Sequence, residues 1–325
     1  MDAGKSLIFG SATEDFFKIF FASLLVFALS FNSNFIASPI LLLATIYLLD
    51  GGHVYSTLLE VYADPIELRK SYVWSVTIGS FFLNLAVLFF IPEFYFFYIF
   101  YFTVFHNMRQ GLGITFLYKK GEKEGMAFYK YSYYFLTIIP FILFHFRNRE
   151  VKDQLSESIL KSVNLFEFFQ PETINSIYQY GLYFFIIGMV FILSFISYKK
   201  NYRGFWSLGF FSFVYIFSFL ISRNELQSYI LIIFSHAIPY YFLMVKRVEK
   251  THSVSYIKKY ASFFLILFFA TGALFDFRRP IIIEYFDDVE ILISALVVTP
   301  LIAHFIFDAI IWKRSNERFK IFLSK

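Results

Sequence analysis

Cysteine is absent from the 325-residue chain. Its absence excludes disulfide bonds, thiolate metal ligands, iron–sulfur clusters and covalently attached haem. Charge is scarce as well. Asp, Glu, Lys and Arg make up 16% of the residues, whereas a soluble domain is usually about a quarter charged. The chain therefore lacks the surface chemistry of an ordinary soluble domain.

Hydrophobic residues make up 58% of the chain, and the mean hydropathy is +0.61. Apolar runs of about 17 residues or more recur along the whole length, and such runs are long enough to cross a bilayer. The sequence thus predicts an all-α, polytopic transmembrane helix bundle. Its 50 Phe and 24 Tyr residues either line a pocket for a long apolar substrate or reflect AT-rich codon usage.

The apolar runs predict about ten spans within a single integral membrane domain, residues 1–325. Acidic residues, Glu14 and Asp15, precede the first run where a secretory signal peptide would be positively charged, so we expect a span there. The predicted spans cover residues 14–31, 35–62, 72–91, 94–118, 127–146, 177–198, 205–222, 226–245, 257–275 and 289–312.

Lys and Arg predict the orientation of these spans. If the N-terminus is cytoplasmic, most of them fall on inner segments, so both termini are predicted to be cytoplasmic. We expect the protein in a bacterial inner membrane. The outer connection, residues 147–176, is predicted to hold an amphipathic interfacial helix, because Val151, Leu155 and Ile159 recur every four residues between charged ones.

Four of the six histidines lie inside predicted spans, whereas His145 lies at a span end and His252 in a loop. The four spans share one direction, and residue counting spreads their histidines over about 12 Å of depth. Co-directional helices can surround one point at one level. The four intramembrane histidines are His53, His106, His236 and His304.

Each of these histidines has a polar residue three or four positions away, which is the spacing of one helix face. Imidazole is the commonest metal ligand near neutral pH, and a carboxylate or amide behind the ring commonly orients it. We therefore predict that the four histidines are metal ligands with polar support. The supporting residues, in the order of the histidines, are Asp50, Gln110, Tyr240 and Asp308.

Charged side chains inside the spans predict further contacts. A charge at the bilayer centre costs about 2.5–3.5 kcal/mol on insertion scales, so each such group needs a partner. Asp50, Glu60 and Asp308 are carboxylates, and Arg109 is the only cation in the four histidine-bearing spans, so we expect Arg109 to pair with one of them. A metal cation, or carboxyl groups that stay neutral, would balance the remaining charge.

Three fragments, HVYSTLLEVYADP, FHNMRQGLGITFLY and HFIFDAIIWK, resemble segments of uncharacterised bacterial multi-pass membrane proteins. The placement of single histidines on several helices also resembles the pattern of the Brp/Blh membrane carotene dioxygenases. That resemblance implies a non-haem iron held by histidines and oxidative cleavage of a polyene. The HxxxH and HxxHH clusters of membrane desaturases are absent, as are P-loop and GxSxG motifs.

The sequence predicts an integral membrane metalloenzyme that oxidises a lipophilic substrate. The metal is expected to be Fe(II), although zinc or copper would also suit imidazole ligands. Membrane lipid and a lipophilic small molecule are the expected partners, with no nucleic acid. Three alternatives stay open: a proton-coupled carrier that uses the same polar cluster, a haem protein with paired histidine ligands, and a scaffold whose polar residues only fix helix registry.

Overall fold

The protein is all-α wherever it is described. The computed structural model describes residues 7–36, 38–119, 125–146, 171–199, 204–222, 225–285 and 289–324. Over these ranges helices follow one another along the chain and no strand occurs, which confirms the predicted fold class.

Seven helices in the described ranges are long and apolar enough to cross a membrane, which supports the prediction of a membrane protein. Each corresponds to one predicted span. They are Pro39–Val61, Ser71–Phe90, Met126–Phe144, Glu172–Lys199, Leu226–Thr251, Ala261–Ile283 and Glu290–Ile311.

The other three predicted spans are helical but differ from these seven in length or polarity. Phe205–Ile221 is a shorter apolar helix. Tyr95–Tyr118 has 24 residues but carries the polar sequence HNMRQ near its middle. The N-terminal helical run includes Glu14, Asp15 and Lys18. The total of ten spans and the cytoplasmic orientation of the termini stay predictions.

The predicted outer connection overlaps the start of a long helix. The expected amphipathic helix falls on residues 147–170, which lie outside the described residues. The helix Pro171–Lys199 begins within the predicted connection rather than at residue 177. The earlier start has a local cause, because proline suits the first turn of a helix and Glu172 interacts favourably with the positive end of the helix dipole.

The chain divides into two compact units. The boundaries of the units fall within the sequences of the helices Tyr95–Tyr118 and Glu225–Thr251. Unit 1 comprises residues 1–31 and 104–236, and unit 2 comprises residues 32–103 and 237–325.

In unit 2, two pairs of long helices pack side by side. The helix Glu290–Ile311 packs along Ser71–Phe90, and Ala261–Tyr285 packs against the segment Gly52–Val61. Glycine is needed at position 52, because a Cβ atom there would lie 2.7 Å from the backbone carbonyl oxygen of Phe269. This close packing fixes the backbone immediately before His53.

In unit 1, the helix Met126–Phe144 packs against both Phe205–Ile216 and Pro171–Lys199. Tyr129 and Tyr133 are fully buried in this unit. Unit 1 supplies His106 and His236, and unit 2 supplies His53 and His304.

Candidate metal centre

The four histidines predicted as ligands are buried, with at most 7% of each residue exposed. Each offers one ring nitrogen, and these four nitrogens all lie within 4.8 Å of one another. Nitrogens bound to one ion at about 2.0–2.1 Å are at most about 4.2 Å apart, a spacing similar to this one. His53, His106, His236 and His304 therefore lie close enough to hold a metal ion.

Within each unit the histidine rings form an edge-to-face pair. In unit 1 the ring centroids of His106 and His236 are 5.1 Å apart with an interplanar angle of 79°. In unit 2 those of His53 and His304 are 5.0 Å apart at 83°. Each pair thus places two imidazoles in contact without stacking them.

A backbone carbonyl orients His53. Its Nδ1 lies 2.7 Å from the carbonyl oxygen of Leu49. Because a carbonyl only accepts, Nδ1 carries the ring proton and Nε2 keeps the lone pair that a metal needs. The predicted support was the Asp50 carboxylate. The Leu49 carbonyl makes the contact with this nitrogen, and the supporting role of Asp50 stays a prediction.

A threonine connects His304 to Asp308. Nδ1 of His304 lies 2.7 Å from the hydroxyl oxygen of Thr57, and that hydroxyl lies 3.1 Å from Oδ1 of Asp308. The direct distance from His304 Nδ1 to Asp308 Oδ1 is 3.8 Å. Asp308 therefore lies behind His304 as predicted, but it acts through Thr57, whose role the sequence did not reveal.

This arrangement fixes the ring tautomer when Asp308 is ionised. A carboxylate only accepts, so Thr57 donates its single hydroxyl proton to Asp308. His304 must then donate from Nδ1 to the Thr57 oxygen, which leaves Nε2 with its lone pair. The neighbouring Tyr240 donates its own hydroxyl to the same Asp308 oxygen at 2.7 Å. In that state, Nε2 of both unit 2 histidines keeps the lone pair that a metal would need.

Two of the predicted supporting residues contact different groups from those expected. Tyr240 was expected beside His236, but its ring centroid is 5.7 Å from that of His304 and its hydroxyl binds Asp308. Gln110 was expected behind a ring. Its amide instead donates to the backbone carbonyl of His236 at 2.8 Å. This hydrogen bond links the helices Tyr95–Tyr118 and Glu225–Thr251.

Arg109 does not take the predicted role of an inward charge partner. It is exposed on the helix Tyr95–Tyr118, and its guanidinium carbon lies 6.0 Å from the ring centroid of Phe105. Helix geometry explains the error, because three residues after His106 the side chain has rotated by about 60° from the histidine. His106 lies at the edge of the buried face, so this rotation places Arg109 on the exposed face with Phe102 and Phe105.

Glu60 has a different cation as its partner. Its Oε1 lies 3.2 Å from Nε of Arg247, and both side chains are fully buried. Arg247 was expected beyond the end of the eighth span at residue 245, but the helix continues to Thr251. The guanidinium carbon of Arg247 also lies 5.1 Å from the Trp312 ring centroid. Arg247 lies seven residues after Tyr240, and this helical spacing was the sequence signal for its inward position.

Arg318 joins three carboxylates near the end of this helix group. Its Nη1 lies 2.8 Å from Oδ2 of Asp64 and 3.5 Å from Oε1 of Glu60, and its Nε lies 2.8 Å from Oε1 of Glu67. Burial alone would raise the pKa of the Asp64 carboxyl, but hydrogen bonds from Arg318 and Ser253 outweigh it and hold this pKa well below its ordinary value. Asp64 is therefore a stable anion at neutral pH.

The two histidines predicted to be ordinary have local contacts. Nδ1 of His145 lies 2.8 Å from the carbonyl oxygen of Phe141. His252 is buried, and its Nδ1 accepts a hydrogen bond from the backbone N–H of Val254 at 3.1 Å. Neither belongs to the four-histidine group. Comparison of the chain with family models, with curated proteins and with solved structures found no match.

Proposed function

We propose that this chain is an integral membrane metalloenzyme. In this proposal a non-haem iron ion, held by His53, His106, His236 and His304, oxidises a lipophilic substrate. One observation supports it above all: four buried imidazole nitrogens lie within 4.8 Å of one another. Burying several polar side chains in an apolar helix group is costly, and coordination of a cation would offset that cost.

The donor set suits a transition metal. Four neutral imidazoles favour iron, copper or zinc over calcium or magnesium, which prefer oxygen ligands. Among these, iron fits an oxidation in which both atoms of dioxygen enter the product and no separate reductant is consumed. When bound, the ion would supply the redox chemistry that the side chains of this chain lack.

The surroundings of the site support a lipophilic substrate. His53, His236 and His304 lie on helices long and apolar enough to cross a membrane, and their side chains are buried. A substrate that dissolves in lipid could approach such a site without crossing water. The residues of this chain would orient the ligands, through the Leu49 carbonyl and the Thr57 hydroxyl, and would exclude water.

The close grouping of the rings favours a single ion over haem. Two axial ligands of one haem lie on opposite faces of the porphyrin. With all four nitrogens within 4.8 Å of one another, the remaining two histidines would occupy the space of the macrocycle. This geometry supports a metal ion coordinated by all four histidines.

A proton-coupled carrier is the second candidate, and one observation favours it. Glu60 and Arg247 form a fully buried ion pair on two helices of membrane-spanning length. Buried charges within spans often mark ion or substrate pathways. Solute uptake into proteoliposomes by metal-free protein would support the carrier and count against the enzyme.

Metal analysis of the purified protein tests the proposal. We expect about one iron per chain, no Soret absorption band, and loss of the metal in His106→Ala and His304→Ala. The matched controls are His145→Ala and His252→Ala, which should keep the wild-type metal content. Equal metal content in all four variants, or a Soret band in the wild type, would overturn it.

A further inference from the structure

A line of buried carboxylates leads through unit 2 toward His304. Asp308 lies 3.8 Å from His304 Nδ1 and is bonded to Thr57. Glu60 follows Thr57 by three residues, which places both on one face of the helix Gly52–Val61. Asp64 and Glu67 lie beyond Glu60. We call these four residues the carboxylate line: Glu67, Asp64, Glu60 and Asp308.

All four side chains are buried, with Asp308, the most accessible, only 7% exposed as a residue. Such groups are normally paired or bound to metals, because an isolated buried anion is very costly. Two arginines supply positive charge beside them: Arg247 is fully buried, and Arg318 is nearly so. The exposed Lys70 adds a third cation, 2.6 Å from Oε1 of Glu67, so three cations lie beside four carboxyl groups.

The pairing in the middle of the carboxylate line is incomplete. Oε2 of Glu60 and both Nη atoms of Arg247 are buried and have no hydrogen-bond partner among the residues that the structure describes. Only Oε1 of Glu60 contacts the two arginines. Buried polar atoms normally have partners, so Oε2 of Glu60 has acceptor capacity that a further group could use. A free carboxylate oxygen beside other carboxylates suits a cation.

The far end of the carboxylate line is covered by the helix Glu317–Leu323. Its Arg318 binds Asp64, Glu67 and Glu60, and its Phe319 and Phe322 rings pack on Trp312 with centroid distances of 5.9 and 5.5 Å. Arg318 thus occupies the carboxylates with a cation of its own. A divalent cation that approached these residues would compete with it directly.

We infer that the carboxylate line is the route by which a divalent metal ion reaches the histidines, and that Arg318 closes its outer end. This inference rests on the proposed metal site. The ion would pass from Glu67 and Asp64 to the free oxygen of Glu60, then to Asp308 and the histidine pair of unit 2. Displacement of Arg318 from the carboxylates opens the route.

The test measures how fast metal enters and leaves, separately from how tightly it binds. Full-length protein in detergent is stripped with a chelator and mixed with Co²⁺, whose visible absorption reports nitrogen coordination. Loading is followed by stopped-flow absorption, and release is followed after addition of EDTA. Binding affinity and stoichiometry are determined by equilibrium titration of the same preparations.

Arg318→Gln should load and release Co²⁺ about tenfold faster, because the ion no longer has to displace a guanidinium group from the carboxylates. The binding affinity should stay nearly unchanged. Its matched control is Lys320→Gln, which removes one exposed positive charge from the same helix. Glu60→Gln should slow both rates by a similar factor, and exposed Glu317→Gln should not. Glu67→Gln gives the same test at the outer end if Glu60→Gln fails to fold.

The outcomes separate the route from the site. Wild-type loading and release rates in Arg318→Gln and in the carboxylate variant, with normal stoichiometry, would overturn the route and leave the metal site intact. Failure of the wild type to bind Co²⁺, or binding that survives loss of the histidines, would overturn the proposed function itself. A rate change in Lys320→Gln equal to that in Arg318→Gln would reduce the effect to overall charge and also overturn the route.

Discussion

The hydroxyl oxygen of Thr57 lies 2.7 Å from Nδ1 of His304 and 3.1 Å from Oδ1 of Asp308. One short side chain therefore connects the Asp308 carboxyl group to the ring of a candidate metal ligand. Direct contact between the ring and the carboxylate is longer, at 3.8 Å.

Thr57→Val should weaken metal binding by about 10–100-fold, the usual effect of losing a group that orients a metal-binding histidine. Valine keeps the shape but cannot accept the Nδ1 proton of His304 or donate to Asp308. Competition titration with a chromophoric chelator measures the change. Thr57→Ser retains the hydroxyl and should bind metal almost as well as the wild type; weakening of both variants to the same degree would contradict this role of the hydroxyl.

Arg247→Met should lower the stability of the protein by up to about 3–5 kcal/mol, because Glu60 would keep only the longer 3.5 Å contact with Arg318 to balance its buried charge. Thermal unfolding in detergent, followed by circular dichroism, measures the loss. The second variant, Arg247→Met combined with Glu60→Gln, removes both charges and should recover much of it. A double variant as unstable as the single one would show that packing of Arg247, rather than its charge, dominates.

Gly52→Ala should destabilise the helix contact beside His53 and weaken metal binding. The added Cβ would lie 2.7 Å from the Phe269 carbonyl oxygen, so one backbone must shift. The matched control is Gly79→Ala, where nothing lies within 4 Å of the new Cβ and the gain in helix propensity is about 1 kcal/mol. Equal effects of the two substitutions on metal affinity and melting temperature would refute the close-contact argument.

Acid should remove the stability that Asp64 contributes. The pKa of its carboxyl is lower in the folded protein than the ordinary value, because Arg318 and Ser253 hydrogen-bond the anion more strongly than burial opposes it. The folded state therefore binds fewer protons at this position than the unfolded state. Its contribution is full above the unfolded pKa of about 3.9 and is lost as the pH falls toward the folded value.

Melting temperature as a function of pH checks this sign. Wild type should exceed Asp64→Asn in melting temperature at pH 7, and the difference should shrink as the pH falls below about 4. A difference that stays constant over this range would mean that the anion itself is not the stabilising form.

Helix formation and the four candidate ligands were predictable from local information. Apolar runs of membrane length predicted the helices. In an apolar medium the backbone N–H and C=O groups must bond to each other, and a single segment can do this only as a helix. The four histidines stood out because polar groups are costly in such runs. Their grouping within 4.8 Å followed from a single assumption, that costly polar groups face inward together.

The partners of these residues were harder to predict, because they depend on distances between helices. Arg109 and Arg247 illustrate the limit. Both are arginines in helices, yet Arg109 is exposed and Arg247 is fully buried against Glu60. The periodicity of a helix predicts which residues share a face. Which of those faces is buried depends on where the neighbouring helices lie.

The sequence by itself determined that the chain is helical, that its helices suit an apolar medium, and that four histidines are the exceptional residues. These are properties of single segments, and they follow from composition and periodicity. Only the tertiary structure decided that Thr57 connects His304 to Asp308, that the Leu49 carbonyl contacts the His53 ring, and that Arg247 and Arg318 bind the carboxylates. Each of these contacts depends on ångström-scale placement of side chains, which repeated local spacing cannot specify.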